Sequence, residues 1–167
     1  TTAALALAGG GFDLWADDSA FWRPGGAGPG QVHGLPLGCK VHVNTRRLLP
    51  WVNAHPATPT VRADEDRMSL CRPPRCGGPP LRPRLIIFLE PRNSSAHKVR
   101  PLEEADAVAR LCRENVRAMD PAAGGPAGET FAALCRLAGE CRTVAMSAGP
   151  EPASLAGLVR ALLDEEA

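Results

Sequence analysis

Tyrosine is absent from the 167-residue chain, and aromatic residues total 4%. That removes most of the stacking platforms on which single-stranded nucleic acids are held. Charge of either sign is in no excess: 19 Lys and Arg stand against 18 Asp and Glu, a formal +1. So small a net charge gives no broad attraction to nucleic acid or to an anionic membrane. No apolar run reaches the roughly 18–20 residues that span a bilayer. Nucleic acid and membrane are therefore not expected as partners. Six cysteines are present but no Cys-x-x-Cys pair. Cys71 and Cys76 fall in a Pro/Arg/Gly loop without a matching His or Cys pair, so structural zinc is not expected. Cysteines on helix faces act as small apolar residues, and a reduced, cytoplasmic chain is the expectation.

What is present suits a globular chain. A hydrophobic content of 44% with 22% charged residues lies in the folded range, and the length suits one domain over 1–167 with a buried core. Seventeen Gly and seventeen Pro imply many loops. Residues 37–43 alternate as a half-buried strand, and 61–71 reads as a hairpin with a charged tip at 64–67. The segment 85–89, Leu-Ile-Ile-Phe-Leu, is short, apolar and β-branched. It is the clearest strand, expected to be central and buried on both faces. Helices are expected over 102–116, 129–138 and 152–163, with a last strand at 143–146. Leu102, Ala105, Ala109, Cys112 and Val116 form the inward stripe of the first helix. Phe131, Leu134, Cys135 and Ala138 form that of the second. Helices alternate with strands at both ends of the chain, which argues for an α/β sheet with helices packed on it.

The most informative stretch is the first. Residues 1–18 read as an alanine- and leucine-rich helix, a glycine turn at 9–11, and an apolar strand at 12–16 that delivers the adjacent carboxylates Asp17 and Asp18. The chain does not begin with Met, so a reading frame that starts upstream is expected. A helix opening on Thr1 and Thr2 suits the second half of a phosphate-binding loop. In such loops Gly-Lys-[Ser/Thr] runs into a helix, the backbone amides hold phosphates and the hydroxyl binds Mg²⁺. The following strand then ends in an acidic residue that completes the metal site. An N-capped helix with a solvated acidic turn is the plainer alternative.

This run resembles the catalytic domain of HPr kinase/phosphorylase and the wider HPr-kinase-like set. There Gly-Lys-[Ser/Thr]-x-x-Ala-Leu-x-Leu leads through a glycine turn to a strand ending in Asp-Asp. Thr1 falls directly after the pattern's lysine, Ala4, Leu5 and Leu7 on the helix, Gly11 on the turn, and Asp17 and Asp18 on the acidic pair, without gaps. The resemblance continues more weakly through residues 32–36, 85–90 and the C-terminal helices. It implies a P-loop, phosphoenolpyruvate-carboxykinase-like mixed sheet with flanking helices. It also implies an ATP- and Mg²⁺-dependent phosphotransferase acting on a serine hydroxyl of a small protein or peptide. The residues expected before Thr1 are Gly-x-x-x-x-Gly-Lys. By the same resemblance Asp17 is the catalytic base and Asp18 assists the metal, Thr1 is the Mg²⁺ ligand, and Thr2 lies over the nucleotide phosphates. A homo-oligomer stays open, since HPr kinase itself is a hexamer. The long glycine-rich segment by which that enzyme engages its carrier protein is not found here, so the acceptor is open too.

The remaining candidates carry less. Glu90 reads chiefly as a strand exit before Pro91, and His33 chiefly as a hydrogen-bonding surface residue of a loop that could reach the site. Lys40, Arg62 and Arg67 read chiefly as solvent-facing cations, with phosphate or acceptor contact the alternative. Ser94, Ser95 and His97 lack an acidic partner and a glycine elbow, which argues against a hydrolase. A non-catalytic, degenerate P-loop module serving as a binding scaffold is the alternative function, since the 167 residues themselves contain no phosphate loop.

Overall fold

The computed structural model describes residues 1–35, 39–54, 57–59, 69–71, 78–91, 95–115 and 127–165, with the side chains of 57–59, 69–71 and 127 excepted. Arg62, Arg67, Ser94, Cys76, Val116 and most of the expected 61–71 hairpin lie outside these residues.

The chain is a mixed α/β structure. Helix α1 (Thr2–Gly9) is followed by a hairpin, β1 (Ala20–Arg23) and β2 (Gln31–Gly34), paired antiparallel from Ala20 opposite Gly34 to Arg23 opposite Gln31. β3 (Cys39–Val41), α2 (Val43–Leu48) and a 3₁₀ turn (Pro50–Ala54) come next. β4 (Ala57–Pro59) and β5 (Ser69–Cys71) then join β3 in an antiparallel sheet ordered β3-β5-β4. The third sheet contains β6 (Leu85–Glu90), β7 (Lys98–Pro101) and β8 (Arg142–Ser147), in the order β6-β8-β7. β6 runs parallel to β8 and β7 antiparallel to it, so the sheet is mixed. α3 (Glu104–Asn115) and α4 (Ala127–Glu140) lie between β7 and β8 in the chain. A 3₁₀ turn (Pro152–Ser154) and α5 (Leu155–Asp164) close the described chain.

Hydrophobic burial concentrates where α1 meets α5. Leu5, Val41, Leu49, Val52, Met146 and Leu155 form one cluster, each 2% exposed or less. Helix α1 is apolar almost all round, which is why it sits between elements and not on the surface. It ends at a glycine turn whose reversal needs glycine at two places. Gly11 has φ +94°, a region that side chains disfavour. A β-carbon on Gly10 would overlap that of Ala156 in α5. Arg160 of α5 donates to the Gly10 carbonyl and lies 5.0 Å from the Phe12 ring centroid, closing this end of the helix.

Several expectations are corrected. The strand at 12–16 is reduced to an isolated bridge at the buried Leu14. β6 is an edge strand among the described residues, half-buried along its length, with Leu89 59% exposed. The central, buried strand is β8, whose Val144, Ala145 and Met146 are at most 1% exposed. An apolar run shows that a strand forms but not how many neighbours it has. In α3 the buried residue is Ala107, while Ala105 and Ala109 are exposed. In α4 Leu134 and Ala138 are buried, but Phe131 is 54% exposed. The helices pack on each other, and the stripes read as core meet along their outer side. There Phe131, Cys112, Cys135 and Ala109 line an open groove of about 680 Å³. Cys39, Cys112, Cys135 and Cys141 are not in disulfides.

The hairpin is tied to α4 by polar contacts. Gly30 N–H donates to Glu140 Oε2 at 2.7 Å, Arg136 Nε donates to Glu140 Oε1 at 2.7 Å, and a second Arg136 nitrogen donates to the Gly28 carbonyl at 2.7 Å. The Gly30 amide, then Arg136, hold the Glu140 carboxyl below its ordinary 4.5. A lowered carboxylate stabilises the fold fully above the unfolded-state value and loses that contribution as pH falls through the lower folded-state value. The urea midpoint of the wild type should therefore exceed that of Glu140→Gln at pH 7, and the gap should narrow progressively as pH falls below the ordinary 4.5. A gap that does not narrow on acidification would show that the carboxylate's charge does not hold the strap.

Candidate functional site

The geometry of the first turn follows from lengths. α1 rises about 12 Å over its eight residues, and the extended return from Gly11 is long enough to bring residue 17 back beside residue 1. Leu14, buried in the core, fixes that return. Thr1 is the N-cap of α1, and its carbonyl accepts the Leu5 N–H at 2.9 Å. Its hydroxyl does not cap its own helix. It donates to Asp17 Oδ2 at 2.7 Å. Asp17 Oδ1 lies 3.2 Å from the Thr1 nitrogen, and the Asp17 side chain is only 5% exposed. A buried carboxylate is costly unless paired, and the positive end of the α1 dipole beside it lowers that cost.

The expected site residues are thus only partly gathered. Thr1 and Asp17 meet directly. Asp18 follows in an exposed bend. The Thr2 hydroxyl is hydrogen-bonded to that of the buried Thr45, 2.8 Å away, a part-buried pair that fastens α1 to α2. Thr45 was not foreseen; 43 positions separate it from Thr2, and no local pattern marks it.

Magnesium is small and hard, and it is bound through one or two protein oxygens together with phosphates and water. The residues present fit such an ion: Asp17 Oδ1 is buried and makes no hydrogen bond, only the 3.2 Å ionic contact with the Thr1 nitrogen, the Thr1 hydroxyl is adjacent, and both residues offer oxygen ligands. Among the described residues no group of three or more His, Cys, Asp or Glu converges, so a cage made wholly of protein ligands is not what these residues form.

The other candidates are placed as follows. His33 stands in β2 opposite Phe21, its Nε2 buried without a partner. Lys40 is exposed on β3. Glu90 accepts from Arg100 at 2.7 Å and from Arg110 at 3.1 Å, and these contacts hold its carboxyl below the usual range. It pins β7 and α3 to the end of β6, the work of a strand exit. His97 accepts the Gly149 N–H at Nδ1, 2.9 Å, so its Nε2 carries the proton and donates to Ser154 Oγ and the Glu151 carbonyl. With Nε2 protonated it cannot take a proton from the Ser154 hydroxyl, which itself donates to the Glu151 carbonyl.

No helix among the described residues is long and apolar enough to cross a membrane. In comparisons with known proteins, no family model, no curated protein and no solved structure matches the chain.

Proposed function

We propose that this chain is the catalytic part of an HPr-kinase-like, P-loop phosphotransferase that uses ATP and Mg²⁺ to phosphorylate a serine hydroxyl on a small protein or peptide. The observation that carries the reading is the 2.7 Å hydrogen bond from Thr1 to Asp17 at the start of α1. A hydroxyl at the helix start beside the acidic end of the returning segment is the pairing that such a phosphate site requires.

The geometry favours the reverse of the division of labour that the resemblance implies. Asp17, buried against Thr1, suits the metal side; Asp18, exposed one residue on, suits the acceptor side. The chemistry Mg²⁺ would supply when bound is positive charge to offset that developing on the transferring phosphate. Thr1 and Asp17 would hold the ion, and the helix N-terminus would face the phosphates. Asp18 would accept the proton of the serine hydroxyl as its oxygen attacks the γ-phosphorus of ATP, the bond from that phosphorus to the β–γ bridging oxygen breaking and ADP leaving.

One observation favours the non-catalytic scaffold: the Thr1 hydroxyl is already engaged by Asp17, a bond that also serves simply to lock α1. Calorimetric titration of ATP into the full-length protein separates the two readings. Saturable heat that requires Mg²⁺ and disappears with chelator is expected of the kinase. No binding in either condition removes the nucleotide site and leaves the scaffold.

A further inference from the structure

Beyond the acidic pair, the hairpin and the helix pair enclose a cavity of about 590 Å³. Phe21, Trp22 and Val32 form its hairpin wall, and Leu134 and Leu137 line it from α4. That volume is in the range of small-molecule sites, which combine apolar walls with a few polar groups. Glu129 and Thr130, in the first turn of α4, supply such groups. Glu129 is the one charged side chain among the lining residues. Phe21 is 59% exposed, so a large apolar surface stands open to water inside a walled space. An occupant would remove that surface from water and restore dispersion contacts. The wall is also built in advance, since Glu140 and Arg136 strap Gly30 and Gly28 to α4, and such preorganisation lowers the ordering cost of binding.

We infer that this cavity binds a small amphipathic amine, its apolar body against Phe21, Trp22 and Leu137 and its ammonium toward Glu129. The chemistry follows from the walls: a hydrocarbon or aryl body matches the lining, and a single carboxylate selects a cation. The inference is independent of phosphate transfer.

The test is an amide and indole NMR titration of the protein with phenylpropylamine, and separately with phenylpropionate of nearly the same shape. The amine is expected to shift the Trp22 indole N–H saturably, with the carboxylate weaker by about two- to fivefold, the upper part of what one solvent-accessible ion pair is worth. Glu129→Gln, an exposed change that leaves the core untouched, should reduce the amine's affinity by about the same factor. Ala133→Phe, which fills the cavity from α4, should abolish the shift. Absence of a saturable Trp22 response to the amine overturns the site. Equal affinity for the two probes, or no effect of Glu129→Gln, overturns the assigned ligand class.

Discussion

Asp18→Asn is expected to cut phosphate transfer to a serine acceptor by about 10²–10⁴-fold, the usual worth of a positioned base, while Mg²⁺-dependent ATP binding stays within about twofold. Asp18 lies exposed in its bend, so under the proposed reading its loss should be confined to the chemical step. Asp17→Asn should behave differently. Its carboxylate is 5% exposed and receives the Thr1 hydroxyl, so the amide both loses charge at the proposed metal site and disturbs the helix start. Transfer should again fall, but the Mg²⁺ concentration needed for half-maximal ATP binding should rise by about tenfold or more. Measuring ATP affinity across a Mg²⁺ series for both variants separates the roles. If Asp17→Asn instead abolishes transfer with ATP binding intact, and Asp18→Asn raises the Mg²⁺ requirement, the division implied by the resemblance holds and the reverse one is wrong. Retained transfer in both variants would remove Asp17 and Asp18 from the roles of metal ligand and base.

Leu5→Ala should produce the largest loss of stability. Leu5 is fully buried, in the cluster that includes Val41, Met146, Leu155 and Val159. Truncating a leucine in such a place costs about 2–5 kcal/mol, through lost transfer free energy and the cavity left behind. For a chain of this size that lowers the thermal midpoint by roughly 5–15 °C. The backbone N–H of residue 5 bonds the Thr1 carbonyl and is kept by the alanine, so only loosened packing of α1 reaches Thr1. Under the proposed reading, nucleotide binding should weaken at temperatures where the variant is still folded. Thermal unfolding followed by circular dichroism checks the first part. A midpoint shift below about 2 °C would mean that α1 is not docked in the core.

What could be read in the residues, and what could not, divides by distance along the chain. The α1 helix, its glycine turn and the nearness of Thr1 to Asp17 involve only 17 consecutive positions, and their order was legible. Gly11 needs its left-handed φ for the same local reason. The apolar run of β6 marked a strand, yet its edge position depends on β8, which begins more than fifty residues later. The stripes of α3 and α4 were periodic enough to be read as helices. Their rotation is set by each other, so Phe131 and Ala109 face outward although both fit an inward pattern. Thr45 and the cavity under the hairpin come from segments that meet only after folding, and nothing near them in the chain announces it.

Each of the three tryptophans is seated on glycine. A β-carbon on Gly9 would come within 2.5 Å of the Trp51 indole nitrogen, one on Gly30 within 2.5 Å of that of Trp22, and one on Gly78 within 2.5 Å of Trp15 Cζ2. With no tyrosine present, the near-ultraviolet absorption and emission of this chain come almost wholly from these three indoles. Trp51 watches the joint of α1 with the 3₁₀ turn, Trp22 the hairpin, and Trp15 the segment leading to Asp17. The molecule is thus optically indexed at three of its seams, and a variant retaining one indole would show by its colour shift which seam opens first.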